Sequence, residues 1–152
     1  MATRTNGFTL IELMIVVTIL GTLALIGLPR MRDGMTRSNV RGARTTLINL
    51  LSKARTAATQ TNRVTLLKIQ GNNAFVLARP RLVVAAGSDA DTLGAVQPLG
   101  DLYGVTVTAA IDSVRFDPRG LGTGFGTGTT FLVSLRGKTE TITVDGLGRV
   151  RK

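Results

Sequence analysis

Hydrophobic and polar positions follow three successive patterns along the chain. Residues 8–28, FTLIELMIVVTILGTLALIGL, carry a single charge, Glu12. As a helix with the usual rise this stretch is about 31 Å long, enough to cross the hydrocarbon of a bilayer. From Arg30 to about Asn62 apolar residues recur at steps of three and four. Ala43, Leu47, Leu50, Leu51, Ala54 and Ala58 form one stripe of a helix, a stripe suited to lie on a sheet. Beyond Asn62 the period shortens to two and β-branched residues alternate with turn signals. Residues 64–69 and 74–78 flank Gln70-Gly71-Asn72-Asn73 and predict a hairpin, and residues 81–85 extend the sheet. Residues 86–101, rich in Gly, Asp and Pro, read as a loop. Residues 105–109, 113–116, 130–135 and 140–144 read as further strands, with Arg136-Gly137-Lys138 turning the last pair. The expected fold is α+β: a long N-terminal helix, transmembrane in its first half, packed on a small antiparallel β-sheet domain of about 90 residues.

Glu12 interrupts the apolar segment. A carboxylate facing lipid costs about 2.5 kcal/mol or more unless it is paired, protonated or near the interface. A secretory signal has a shorter apolar region with a small-residue cleavage site on its far side, and neither a signal nor a plain anchor favours Glu in its core. Two arrangements remain. Glu12 snorkels at the membrane edge, or it meets a cation. Cleavage after Gly7 would create one, an α-amine on Phe8 four residues away, about one helical turn in the same chain or presented by a neighbour.

Composition narrows the chemistry. The 152 residues include no His, Cys or Trp, which removes Ser-His-Asp and Cys-His nucleophiles, the usual zinc ligand sets and disulfides. Asp112, Asp117 and Glu140 show no paired-carboxylate spacing for acid–base work, so neither an enzyme nor a cofactor or metal site is expected. The balance of 19 Lys and Arg against 9 Asp and Glu, a net +10, points to a polyanionic partner such as nucleic acid or an acidic membrane surface. Most of these cations are Arg, which suits bidentate phosphate contacts, although a GC-rich coding sequence produces the same bias. Arg30, Arg37, Arg41, Arg44 and Arg55 fall on one side of the helical wheel, a basic stripe readable as a solvated or subunit-contacting face or as a nucleic-acid surface. Gly120, Gly122, Gly124, Gly126 and Gly128 alternate, but the spacing fits neither phosphate-loop motif and no helix signal follows, so a mobile loop between strands is expected.

Gly7-Phe8-Thr9-Leu10-Ile11-Glu12-Leu13 resembles the processing site of type IV pilins and pseudopilins. The resemblance implies that a prepilin peptidase cuts between Gly7 and Phe8 and methylates the new Phe8 amine. The apolar helix then remains as membrane anchor and filament core, and Glu12 pairs with the Phe8 amine of an adjacent subunit. It implies a leader over residues 1–7, a transmembrane and filament-core helix over 8–28, an amphipathic continuation over 29–62 and a β-rich periplasmic domain over 63–152. The partners would be the inner membrane, the peptidase and other pilins. Pro29 stands where many pilins carry a helix-breaking Pro, and with Gly34 and Gly42 it marks a softened region where subunits melt on packing. The charges flanking the anchor, Arg4 before it and Arg30, Arg32, Arg37, Arg41 and Arg44 after it, would place the C-terminal domain in the cytoplasm by the positive-inside rule. The processing motif implies export and takes precedence.

Val114-Arg115-Phe116-Asp117-Pro118-Arg119-Gly120 and the closing Ile142-Thr143-Val144 and Gly148-Arg149-Val150-Arg151 extend the resemblance to the GspH/FimT family of minor pilins and pseudopilins. That family includes the H-type minor pseudopilin of type II secretion and the FimT-type minor pilin of type IV pili. In FimT-type pilins of naturally transformable bacteria a similar G-R-x-R element contacts DNA. By that resemblance Arg149, Arg151 and Lys152 are DNA-binding candidates, with double-stranded DNA as the partner taken up. In an extended tail Arg149 and Arg151 point to one side and Val150 to the other, so two guanidinium forks can meet neighbouring phosphates. Such contacts are indifferent to sequence and sensitive to salt, and no aromatic accompanies them for base stacking. Secretion-type relatives also resemble the chain in closing on a Gly-Arg strand. A strand end with solvated arginines and no DNA role, in a pseudopilus tip that pushes exoproteins through a secretin, therefore stands as the alternative.

Overall fold

Thr9 sets the start of the first helix. In the computed structural model, which describes residues 7–79, 91–123, 126 and 128–151, helix α1 runs Leu10–Thr61. Two units divide the chain, one up to Met35 and one from Thr36 onward. In the first, the Glu12 amide donates to Thr9 Oγ1 at 3.3 Å and the Leu13 amide to the Thr9 carbonyl at 3.2 Å, an N-cap on a Thr-x-x-Glu sequence. By length and composition this helix can cross a membrane, and none of its apolar stretch is buried. Its hydroxyls bond back onto the backbone, Thr18 Oγ1 to the Met14 carbonyl at 2.7 Å and Thr22 Oγ1 to the Ile19 carbonyl at 2.8 Å, bonds that would satisfy them in lipid, which offers no partner. Pro29 lies inside α1 without ending it; lacking an amide hydrogen, it leaves the Leu25 carbonyl without its helical donor.

The second unit is built on the predicted stripe. Ala43, Leu47, Leu50, Leu51, Ala54 and Ala58 are all buried, joined by Thr36 and Val40. The helix ends where Asn62 takes φ +51° and the Arg63 amide reaches back to the Ala58 carbonyl at 3.3 Å, a six-to-one closure that satisfies a terminal carbonyl. Strands β1 (Thr65–Gln70) and β2 (Asn73–Ala78) form the predicted hairpin. Next come β3 (Asp91–Thr92), β4 (Gln97–Pro98) and a short helix α2 (Leu99–Tyr103). They are followed by β5 (Thr106–Ala109), β6 (Ser113–Phe116), β7 (Gly122–Thr123), β8 (Gly128–Leu135), β9 (Lys138–Asp145) and β10 (Val150–Arg151).

Among the described residues these strands make two antiparallel sheets. One has the order β3-β2-β1-β6-β7, with β4 also on β2, and the other the order β10-β9-β8-β5. Inward positions alternate as expected: Leu67 and Ile69, Val114 and Phe116, Phe131 and Val133, Ile142 and Val144 are buried and share one cluster with the helix stripe. The buried Thr65 hydroxyl donates to the Ala54 carbonyl at 2.6 Å, tying the first strand to the helix.

Two expectations change. The segment read as a loop over residues 86–101 contains β3, β4 and the start of α2, because the outer edge of β2 needs partners. Thr92 and Asp91 pair with Leu77 and Ala78, and Pro98 and Gln97 with Asn73 and Ala74. The alternating glycines are not all loop: Gly122 and Thr123 pair with Phe116 and Arg115, and β8 begins at Gly128. Gly42 also makes room for a ring, since a Cβ there would stand 2.8 Å from Tyr103 Cε1. Tyr103 is held in that slot by a 3.0 Å bond between its hydroxyl and Thr46 Oγ1 and by Asn39 Nδ2 donating to its carbonyl at 3.2 Å. The predicted strand over residues 81–85, Arg4 of the leader, Gly124 and Lys152 lie outside the described residues.

Candidate functional sites

Gly7 and Phe8, the expected processing residues, lie together ahead of the helix. Gly7 and Phe8 precede the Thr9 cap in irregular backbone, and Phe8 is 83% exposed. Glu12 occupies the first helical turn, where the helix dipole favours a carboxylate. A new amine on Phe8 would place a cation at the same end, and Glu12 is the acidic group in that turn to offset it. The Thr-x-x-Glu spacing signals the Thr9 cap in the sequence.

The tail is seated by a loop with a well-defined hydrogen-bond pattern. The Asp145 amide donates to the Arg149 carbonyl at 2.9 Å and the Gly148 amide to the Asp145 carbonyl at 2.8 Å. Asp145 Oδ1 accepts from the amides of Leu147 at 3.0 Å and Arg149 at 2.8 Å. Gly148 has φ +77° and lies so close to the core that a Cβ would fall 2.6 Å from Phe116 Cε1 and 3.0 Å from the Gly122 amide nitrogen. The glycine of Gly-Arg-x-Arg is therefore demanded by packing. Beyond it Val150 pairs with Val144 and packs on the core, while Arg151 pairs with Thr143 on the other face. Arg149 and Arg151 are exposed, the alternation an extended tail requires.

The same loop occurs twice. In Asp117-Pro118-Arg119-Gly120-Leu121 the Asp117 amide donates to the Leu121 carbonyl at 2.9 Å and the Gly120 amide to the Asp117 carbonyl at 2.8 Å. Asp117 Oδ1 accepts from Arg119 at 3.0 Å and Leu121 at 2.8 Å. Both glycines adopt φ +77°, a backbone region costly for any residue with a Cβ. The Gly122 amide donates to the Leu147 carbonyl at 3.1 Å, so the two loops lie side by side. The Asp-x-x-Gly spacing repeats visibly in the sequence and would have revealed the pair.

The basic stripe does not act as one surface. Arg44 turns to Glu140, Nε to Oε2 at 3.8 Å, while Arg37 and Arg41 border a cleft of about 250 Å³ with Lys138 and Glu140. Arg55 is drawn to the other loop end, its Nε 3.4 Å from where a Cβ of Gly120 would be. The acidic residues considered for catalysis are dispersed: Asp117 holds its own loop and Glu140 faces Arg44.

An exposed apolar helix opening directly behind Gly-Phe-Thr-Leu-Ile-Glu, with a helix-backed, two-sheet domain after it, defines a subunit of the type IV pilin class. Residues 3–28 match the family model of the prokaryotic N-terminal methylation motif. Residues 43–148 match that of the type II transport protein GspH, and the chain belongs to this family. Among solved structures the type IV minor pilin FimU of Pseudomonas aeruginosa strain PAO1 is similar in two crystal forms. One gives a TM-score of 0.58 at 20% identity, covering 76% of this chain and 88% of that one. The other gives 0.51 at 18% identity, covering 76% and 90%. The shared fold is the type IV pilin-like α+β architecture. Comparison with curated proteins gives no match.

Proposed function

We propose that the chain is a non-enzymatic minor subunit of a type IV filament machine, cut between Gly7 and Phe8 by a prepilin peptidase and methylated on Phe8. The single observation that carries this is the exposed apolar helix beginning one residue after Thr9, with Glu12 in its first turn. Before assembly that helix anchors the subunit in the inner membrane with the β-domain in the periplasm. During assembly it leaves lipid for the filament core, where Glu12 meets the Phe8 amine of an adjacent subunit. The four segments of the chain, residues 1–7, 8–28, 29–62 and 63–152, serve as leader, anchor, helical continuation and periplasmic domain.

Within this class the subunit acts as a FimT-like pilin that holds double-stranded DNA for uptake through Arg149, Arg151 and Lys152. The exposure of Arg149 and Arg151 on one face of the tail supports this reading. The GspH family match favours a second, an H-type pseudopilin of type II secretion with no DNA role. Duplex binding by the full chain in detergent micelles separates the two. On the DNA reading Arg149→Ala/Arg151→Ala weakens binding and flattens its salt dependence. On the secretion reading neither the parent nor the variant retains duplex.

A further inference from the structure

One arginine of the helix stripe, Arg55, lies beside the paired loops that also carry Arg119 and the start of the tail. Arg55, from the helix, lies against Gly120 of the first loop and borders a cleft of about 170 Å³ whose other walls include Ile48, Gly148 and Val150 of the helix and tail. Arg119 projects from the first loop and Arg149 from the second, and the loops are joined by the bond from the Gly122 amide to the Leu147 carbonyl. Arg151 follows two residues on, on the Arg149 side of the strand. Among the described residues none of these four arginines has an ion pair, the two salt bridges being Arg44–Glu140 and Arg63–Asp91. Asp117 and Asp145 lower the local net charge to +2. Both, however, direct Oδ1 at backbone amides of their own loops and so leave the guanidinium forks open for phosphate.

We propose that the polyanion-binding surface is this composite of Arg55, Arg119, Arg149 and Arg151, spread over helix, loop and tail, and that its ligand is the phosphate backbone of duplex DNA. The proposal rests on the DNA reading above and extends it to two residues outside the tail. Charge complementarity, with no exposed aromatic on these elements among the described residues, selects a duplex backbone over stacked single strands. The two loops act as a rigid mount: each fixes the backbone of one arginine through an aspartate, so less freedom is lost on binding than for arginines on a free tail.

The test is binding of the full chain in neutral detergent to a short fluorescent duplex of arbitrary sequence, titrated at several salt concentrations. Four phosphate contacts predict that affinity falls about 150-fold between about 50 and 200 mM salt. Arg55→Gln/Arg119→Gln and Arg149→Ala/Arg151→Ala each reduce that fall to about 12-fold, and Arg55→Lys/Arg119→Lys leaves it near the parent value. Tyr103 fluorescence reports folding. If the Arg55 change unfolds the protein, Arg119→Gln alone, on an exposed side chain, carries the test with a fall of about 40-fold. A Gln double variant indistinguishable from the parent, beside a tail variant that flattens, overturns the composite and leaves the tail reading standing. Failure of the parent chain to bind duplex overturns both. Arginine-dependent binding to phosphatidylglycerol vesicles in place of duplex overturns the proposal in favour of a membrane contact.

Discussion

Gly148→Ala tests the seating of the tail. The position has φ +77°, where an alanine costs about 1–2 kcal/mol. Its new methyl would lie 2.6 Å from Phe116 Cε1 and 3.2 Å from Gly122 Cα. Phe116 is fully buried and Gly122 is held in the sheet by its pairing with Phe116, so neither neighbour can retreat cheaply. Overpacking of this kind adds about 1–3 kcal/mol. The sum, about 3 kcal/mol, lowers the midpoint of thermal unfolding by roughly 12 °C for a domain of this size. Tyr103 is the one tyrosine in a chain without tryptophan and is bonded to Thr46 in the folded domain, so its fluorescence follows the unfolding of the β-domain without interference from the anchor. Gly34→Ala is the matched control. It lies in the helix with nothing within 4 Å of the added methyl, and the helix gains up to about 1 kcal/mol from the change. A Gly148→Ala midpoint within a degree or two of the parent would refute the argument that packing demands this glycine.

Further substitutions probe other links. Thr129 is buried with its hydroxyl unpartnered among the described residues, so Thr129→Val, which keeps the shape and removes the polar atom, stabilises by about 1 kcal/mol in urea unfolding. Tyr103→Phe deletes the bond to Thr46 and costs about 1 kcal/mol by the same measurement followed by circular dichroism. Glu12→Gln removes the charge that would meet the Phe8 amine. It leaves the membrane-bound pool intact and sharply lowers the fraction recovered with sheared filaments.

The helix was legible because its face repeats over many turns. Six positions between Ala43 and Ala58 keep one period, and all six are buried. The hairpins were legible through alternation and turn residues. Residues 91–103 were not, since two-residue strands carry no period and Gly, Asp and Pro disguised them; what orders them is the open edge of β2 and the burial of Leu99. The packing role of Gly42 was hidden for a related reason. Helix propensity is local, whereas the ring that fills its slot comes from Tyr103, far along the chain. At the candidate sites the residue types were readable, but their assembly was not. Nothing in the sequence spacing announces that Arg55 approaches Gly120, or that Gly148 is fixed by Phe116. The repeated Asp-x-x-Gly was there to be read, and its meaning emerged only when both loops proved to share one hydrogen-bond pattern.

The mature N-terminus bears most directly on the central claim. Intact-mass and N-terminal fragment spectra of the chain, produced together with a prepilin peptidase, are predicted to show a protein that begins at N-methylated Phe8 and lacks residues 1–7. A chain that keeps Gly7 and its leader under those conditions, or is cut on the far side of the apolar segment near Pro29, would contradict the account.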